Sequence, residues 1–577
     1  MARILRTLVP RSLSDTDGLD GYHPVLQRVY AGRGVRAAAD LDLALSSLLL
    51  PESLAGVGAA AERLHQALQT NERILIVGDF DADGATSTAL AVEALKGFGA
   101  TDARYLVPNR FEYGYGLTPE IVALAAQQTP ALIITVDNGI SSIEGVDAAN
   151  ASGIDVLVTD HHLPGATLPK AAVIVNPNLP ECGFPSGALA GVGVIFYVMS
   201  FLRAHLREAG WFTERGLAEP NMAQFLDLVA LGTVADVVPL DHNNRVLVSA
   251  GLQRIRAGKA RPGIQSLLTV AGRNVSTIVA TDLGFAAGPR LNAAGRLDDM
   301  SLGIECLLAR DEFTARNLAL QLDAMNRERQ QIERGMERDA LAALERVLPG
   351  ETESLPPALV MHDADWHQGV VGILASRLKD RYQRPVIAFA DVGEGQLKGS
   401  GRGISGLHLR DLLDRVATLN PGLISHFGGH AMAAGLSLPA THFDAFAEAF
   451  TTLVGEEAGS ALTPTLETDG EIEPQHLSID VAELLRQGGP WGQRFPEPLF
   501  QGEFELIEQR IVGERHLKCR LKTADDETVI DAIAFSVDLE QWPDESASNV
   551  RLAYRLDVNE YRGRRSLQLM IEQLEKL

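Results

Sequence analysis

The stretch VGDFDADGATS, residues 77–87, places Asp79, Asp81 and Asp83 within five positions directly behind an apolar run. Carboxylates crowded into one dry cleft repel each other, take up protons and lose their charge unless a cation compensates them. Acids recur elsewhere in the same setting: Asp137 closes ALIITVD, Asp160 closes DVLVTD, and Asp236 ends the apolar segment of GTVADVVPLD. His161 and His162 follow Asp160 at once. A single histidine in a loop is usually a structural hydrogen-bonder. An adjacent pair behind a strand-ending acid is poorly explained by packing, whereas a carboxylate that fixes an imidazole tautomer is what a metal site uses. The residue types therefore predict a divalent-cation centre. Two other chemistries fit the first stretch alone. An EF-hand calcium loop needs a bidentate glutamate at its twelfth position, which counted from Asp79 is Leu90. A phosphatase of the haloacid dehalogenase type uses a strand-terminal aspartate as nucleophile, and leaves TDHH unexplained.

Groups so far apart in sequence need a parallel α/β sheet to bring them together. RILIVGD, ARYLVP, ALIITVD, DVLVTD and AAVIVNP read as buried strands, separated by helical GATSTALAVEALKGFG, TPEIVALAAQQ and SSIEGVDAANASG. In an open sheet of this kind ligands bind beyond the carboxyl ends of the strands, so separate segments deliver acids to one edge. Gly84 is expected to permit a sharp bend there, with Thr86 beginning the helix. GALAGVGVIFYVMSFL, residues 187–202, is shorter than a membrane span requires and reads as a buried helix. No proline interrupts Leu291 to Leu348, which predicts a long connecting helix ahead of the linker PGETESLPP. A second α/β unit runs from ALVMHDADWHQG through RPVIAFAD to GGHAMAAGLSL. The period then changes to two, as in the strands of a small OB-like barrel. The expected architecture is α/β, with an N-terminal extension at 1–70, a catalytic parallel-sheet domain at 71–305, a connecting helix at 306–350, a smaller α/β domain at 355–457 and the barrel at 465–577.

Composition narrows the class. The chain of 577 residues is 46% hydrophobic and 22% charged, ordinary for a folded multidomain protein. Its three cysteines, Cys182, Cys306 and Cys519, are too few and too scattered for a disulfide framework, so they read as inert core residues in a reducing compartment. The N-terminus shows no secretory signal, and a cytoplasmic location is expected. A net charge of −24 argues against non-specific coating of nucleic acid. One local basic run, Arg245, Arg254, Arg256, Lys259 and Arg261, is free of acids and fits either a groove or a solvated helix face.

Together VGDFDADGATS, LVPNRFEYGYGL, TVDNGISS, VTDHHLP, NPN, LAGVGV, LGTVADVVPL, GPRLNAAGRLDD, WHQGVVGILASR, KGSGRGI, FGGHAMAAG and GPWGQRFPEPLF resemble the DHH phosphoesterase family over nearly the whole chain. Its length and terminal module point within that family to the bacterial single-strand-specific exonucleases. The resemblance implies that Asp81, Asp83, Asp137, His161 and Asp236 ligate two ions, Mn²⁺ or Mg²⁺, with Asp137 as the bridge. It implies that His162 touches the scissile phosphate or protonates the leaving group, that Asp160 supports the histidines, and that Asp79 has a supporting role. Ser400 and Arg402, on what reads as a glycine-rich turn, would hold a 5′ phosphate together with Arg110, and His430 would hold substrate across the cleft. Arg290 and Arg296 are candidates for backbone phosphates, and Phe111, Tyr113 and Tyr115 for base stacking. Charge balance agrees independently, since two dications offset four carboxylates. The function implied is 5′-to-3′ exonucleolytic hydrolysis of single-stranded DNA in recombination and repair, by a monomer associated with single-strand-binding protein and a RecQ-type helicase. An oligonucleotide or cyclic-dinucleotide phosphodiesterase would share the metal site without needing the barrel. A replication scaffold without chemistry would not need the full set of acids and histidines.

Overall fold

The computed structural model describes residues 4–577 apart from 16, 110–112, 114, 348–354, 524–527 and 562. Its first segment is woven into the rest: β1 (Thr7–Pro10) pairs in parallel with β12 (Thr465–Thr468), while α1 (Pro24–Ala31) and α2 (Val57–Gln69) add buried residues to the main core.

The apolar runs β2 (Ile74–Gly78), β3 (Ala103–Leu106), β4 (Leu132–Val136), β5 (Asp155–Thr159) and β6 (Val173–Val175) form one parallel sheet in the order β3-β2-β4-β5-β6. Apart from the edge strand β3, where Arg104 is exposed, they lack polar alternation because both faces are covered. Ile74 and Ile76 enter the core beneath α3 (Ala82–Gly97) and α6 (Gly191–Glu208). Leu75 and Val77 enter a second core beneath α4 (Pro119–Ala126) and α5 (Ile143–Ala151). At ~1.5–3 kcal/mol for each fully buried aliphatic side chain, this double burial holds the strand ends in fixed register. The chain leaves β2 for one neighbour, β3, and returns on the other side as β4, so a crevice opens at their carboxyl ends. Helix α6 contains the apolar run read as a buried helix, and among the described residues no helix is long and apolar enough to cross a membrane.

Helices α7 (Leu226–Ala235), α8 (His242–Arg256) and α9 (Gly288–Leu297) complete this half. The connecting helix α10 (Glu312–Val347) packs against α9 at one end and α11 (Val371–Tyr382) at the other. The second sheet has the order β10-β11-β9-β8-β7, from β7 (Leu359–Asp363), β8 (Val386–Asp391), β9 (Gln396–Arg402), β10 (His426–Gly429) and β11 (Ala433–Pro439). After α12 (Ile479–Gln487), strands β13 (Phe500–Val512), β14 (His516–Thr523), β15 (Val529–Ala534), β16 (Asn549–Tyr561) and β17 (Arg564–Lys576) close a barrel in the order β13-β14-β15-β17-β16.

Two local expectations are corrected. The helix after β2 begins at Ala82, not near Thr86: Asp81 is its N-cap, accepting the Asp83 and Gly84 N–H groups at 2.9 and 3.0 Å. Gly84 therefore lies inside α3. A Cβ there would stand 2.4 Å from the Asp79 carbonyl oxygen, so the glycine permits close packing rather than a bend. KGSGRGI is likewise not a turn, because Lys398 to Arg402 belong to β9. A Cβ on Gly399 would meet the Phe389 ring at 2.4 Å, and one on Gly401 would meet Leu409 at 2.9 Å. The alternate glycines let side chains lie flat on the sheet.

Candidate active site

The carboxyl edge of the first sheet collects the predicted acids. Asp79 follows β2, Asp137 follows β4 and Asp160 follows β5, while Asp236 caps the C-terminus of α7. Among the described residues, three sets of potential ligand atoms, each lying within 4.8 Å of one another, occur there: Asp79 with Asp81 and Asp137, Asp83 with His161 and Asp236, and Asp137 with His161 and His162. Asp137 belongs to two of them. It occupies φ +62, a region non-glycine residues rarely adopt. Its Cβ lies against Gly191, where a Cβ would approach it to 2.6 Å.

The electrostatics have the character of a cluster awaiting positive charge. Asp83 is pushed up to about 7, first by burial and then by Asp81, even though its carboxylate accepts the Gly191 and Val192 N–H groups at the start of α6 at 2.6 and 2.9 Å. Burial raises Asp137 and Asp236 well above the carboxylate range, reinforced by their acidic neighbours. His161 is held down to about 4 by burial and by the charge of His162, so its ring is neutral and has a lone pair to offer. His161 Nε2 stands 3.0 Å from Asp137 Oδ1 and 3.5 Å from Asp236 Oδ2. Both Nε2 and Oδ1 are buried without a hydrogen-bond partner among the described residues. Two orphaned acceptor-type atoms facing each other among raised carboxylates fit a divalent cation. The oxygen-rich donor set with one imidazole suits Mg²⁺ or Mn²⁺.

Asp160 has a different environment. Burial pushes its carboxyl up, but its bonds outweigh that and the net shift is downward. Oδ1 accepts the His161 and His162 N–H groups at 2.7 and 3.1 Å and lies 2.7 Å from His162 Nδ1, while Oδ2 accepts the Ile140 N–H at 2.9 Å. The partner His162 is lowered by burial and raised by Asp160 together with Asp79 and Asp81, and its net shift is upward. The histidine pair is also held through its backbone: Asn178 donates to the His161 carbonyl at 2.5 Å and Asn176 to the His162 carbonyl at 2.9 Å. No role for either asparagine follows from the sequence alone, although NPN directly after a strand was the available signal.

Facing this edge across a cleft of about 1640 Å³ stand Lys379, Arg402, His430 and Met432 of the second unit, and Arg296 of α9 also lines the cleft. The His430 ring lies 6.4 Å from that of His162. Arg402, largely buried, donates to Ser400 Oγ at 3.1 Å and to the Gly401 carbonyl at 2.8 Å. Arg296 lines the cleft and donates to the Gly369 carbonyl at 3.2 Å, tying the halves together. Arg290 does not line the cleft. Its guanidinium is 2.7 Å from Asp323 of α10 and donates to the Ala286 carbonyl, so it anchors the connecting helix instead.

Of the aromatics named as base-stacking candidates, Tyr113 packs against the core under α4. The Tyr115 hydroxyl donates to the Asp137 carbonyl at 3.3 Å and lies 3.2 Å from His162 Nδ1, a supporting position at the acids. Arg110 and Phe111 lie outside the described residues. Cys306 and Cys519 are buried thiols, each pushed up to about 12 by burial, while Cys182 is half-buried.

Residues 73–233 match the N-terminal domain of the DHH family, 356–456 the DHHA1 domain and 468–573 the RecJ OB domain. The chain is 59% identical to the single-stranded-DNA-specific exonuclease RecJ of Dickeya dadantii over 99% of each chain. It is 56% identical to that of Escherichia coli over 96% of each. Among solved structures it is similar to RecJ of Thermus thermophilus in complex with Mn²⁺, with a TM-score of 0.80 and 30% identity over 99% of this chain and 80% of that one. The Mg²⁺ complex of the same protein gives a TM-score of 0.74 at 28% identity over 99% and 78%. The chain therefore belongs to the DHH family and, within it, to the RecJ single-stranded-DNA-specific exonucleases.

Proposed function

We propose that the protein hydrolyses single-stranded DNA from its 5′ end toward the 3′ end, using two divalent ions, Mn²⁺ or Mg²⁺, held by Asp81, Asp83, Asp137, His161 and Asp236, with Asp79 in support. One observation carries the reading: a carboxylate and imidazole cluster with orphaned buried atoms faces Arg402 and His430 across a single cleft. Bound dications would lower the pKa of a coordinated water and neutralise the charge of the phosphodiester. The side chains do the rest. Asp160 orients His162 and keeps it more protonated at neutral pH, which places a donor beside the scissile phosphate and leaving oxygen. Arg402, pre-organised by Ser400, offers a planar fork to a terminal phosphate. A phosphate held at fixed distance from the acids turns cleavage into end-directed removal. The cleft admits one strand, and the barrel extends the grip along it. Family likeness supports a place in recombination and repair beside single-strand-binding protein and a helicase.

The test is the polarity of digestion of end-labelled single strands with Mn²⁺ or Mg²⁺. Loss of label from the 5′ end first, abolished in Asp81→Ala and with weakened preference for a 5′ phosphate in Arg402→Ala, is expected. Digestion from the 3′ end, or full activity after exhaustive chelation, would overturn it.

A further inference from the structure

The basic run from Arg245 to Arg261 is not consumed by the catalytic cleft. Arg245 reaches that cleft, and Arg261 is buried against Asp227 and Glu93. Arg256, the last residue of α8, turns instead into a separate cavity of about 280 Å³ between α8, residues 279–281 and the segment leading from α12 to the barrel. Arg256 Nε donates to the Ile278 carbonyl at 2.7 Å, and Arg486 Nη2 donates to the Thr277 carbonyl at 2.9 Å. Two guanidiniums from distant parts of the chain are thus tied to consecutive carbonyls and held side by side. Like charges so placed repel, and Arg256 is pushed down by burial and by the charge of Arg486.

Among the described residues neither arginine has a carboxylate within ion-pair distance, because the nearby acids are engaged: Asp282 pairs with Arg273 at 3.3 Å and Glu497 with Arg555 at 3.5 Å. Glu497, the acid lining the cavity, is thus turned to Arg555. In a chain of net charge −24, two adjacent arginines whose neighbouring acids are paired with other arginines mark a place for an anion. Planar guanidinium forks match phosphate oxygens in particular. The walls supply Leu41, Leu252 and Trp491 for a ring, and Ser249 and Gln253 for hydrogen bonds. The volume is near the lower limit of ~300 Å³ for ligand pockets, which suits one small molecule rather than a strand.

We propose that this cavity is a second phosphate site, separate from the catalytic cleft, which takes a free phosphate monoester of mononucleotide size. Its occupant would bridge the catalytic half to α12, the helix that leads into the barrel. The reading does not depend on the polarity or metal count proposed above.

Calorimetric titration of dTMP and of inorganic phosphate into the Mn²⁺-loaded full chain tests it, with Arg402→Ala as the background that weakens phosphate binding in the cleft. One dTMP-binding event should persist in Arg402→Ala, weaken tenfold or more when Arg256→Gln or Arg486→Gln is added, and recover in part with Arg486→Lys. Hydrolysis of single strands without added nucleotide should be unchanged in Arg256→Gln and Arg486→Gln alone. In the Arg402→Ala background dTMP should raise the melting temperature and thymidine should not, a comparison that needs no substitution in the cavity. Failure of dTMP to bind in that background overturns the proposal, as does dTMP binding that is unaffected by both glutamine substitutions. So does weaker single-strand affinity with dTMP binding intact, which would assign the arginines to the DNA path.

Discussion

Replacing Asp137 with asparagine should stop hydrolysis and yet raise the melting temperature of the metal-free protein at pH 8. Asp137 is 2% exposed, and its carboxyl is raised by burial first and then by Asp83, Asp81, Asp236 and Asp79. Asp83 in the same cluster moves from the ordinary 3.8 to about 7. At ~1.4 kcal/mol for each tenfold change in proton affinity, ionising such a group costs the folded state ~4 kcal/mol. Removing one charge should recover part of this, ~1–3 kcal/mol. These acids bind protons more tightly when folded than when unfolded. The stability they contribute is therefore present at low pH and lost as pH rises from 3.8 through about 7, the window set by Asp83. At pH 5 the cluster holds more of its protons, and the substitution should gain less. Asparagine also tolerates the φ of +62 at this position. With ~2–4 °C per kcal/mol in a domain of this size, calorimetry in EDTA should show a gain of ~2–12 °C at pH 8 and a smaller one at pH 5. Added Mn²⁺ should stabilise the wild-type chain and have little effect on the variant. A lower melting temperature at pH 8, or the same change at both pH values, would refute the reasoning that these carboxylates form a cluster seeking a cation.

Gly191→Ala should cost ~1–3 kcal/mol by overpacking and at least a hundredfold in kcat, because its Cβ would lie 2.6 Å from that of Asp137; unfolding curves and turnover check it. Asp160→Asn should lower kcat by ~10–100-fold, through loss of a charge-assisted bond to His162 of ~1.5–3 kcal/mol, and should shift the alkaline side of the pH–rate profile to lower pH, because His162 then holds its proton less tightly. An unchanged profile would contradict the role of Asp160. Arg290→Gln should cost ~1–3 kcal/mol in denaturant melts by loosening Asp323, which Arg327 still pairs. Its kcat/KM at low temperature should stay within about threefold of wild type, and a selective loss of single-strand affinity would return Arg290 to the substrate path.

The edge of acids was legible because each strand ends on the residue that carries chemistry, so reading the β2, β4 and β5 runs already aligned Asp79, Asp137 and Asp160. Apolar segments such as the first half of α6 were legible for the same reason: burial on all sides leaves no ambiguity of face. What sequence reasoning misjudged were glycines whose use depends on distant neighbours. Gly84 faces the Asp79 backbone, and Gly399 lies under Phe389; neither contact has a local signature, so both stretches read as bends. Side-chain partners were equally hidden. Nothing around Arg290 announces that Asp323 of the connecting helix will claim it, nor around Tyr113 that it will turn to the core while Tyr115 turns to the acids.

The account rests on dications held between Asp137, His161 and Asp236, and anomalous diffraction from crystals of the full chain grown with Mn²⁺ addresses it most directly. Two peaks ~3.5–4 Å apart, with Asp137 touching both and His161 touching one, are predicted. No peak within reach of Asp137, or manganese only elsewhere on the surface, would contradict it.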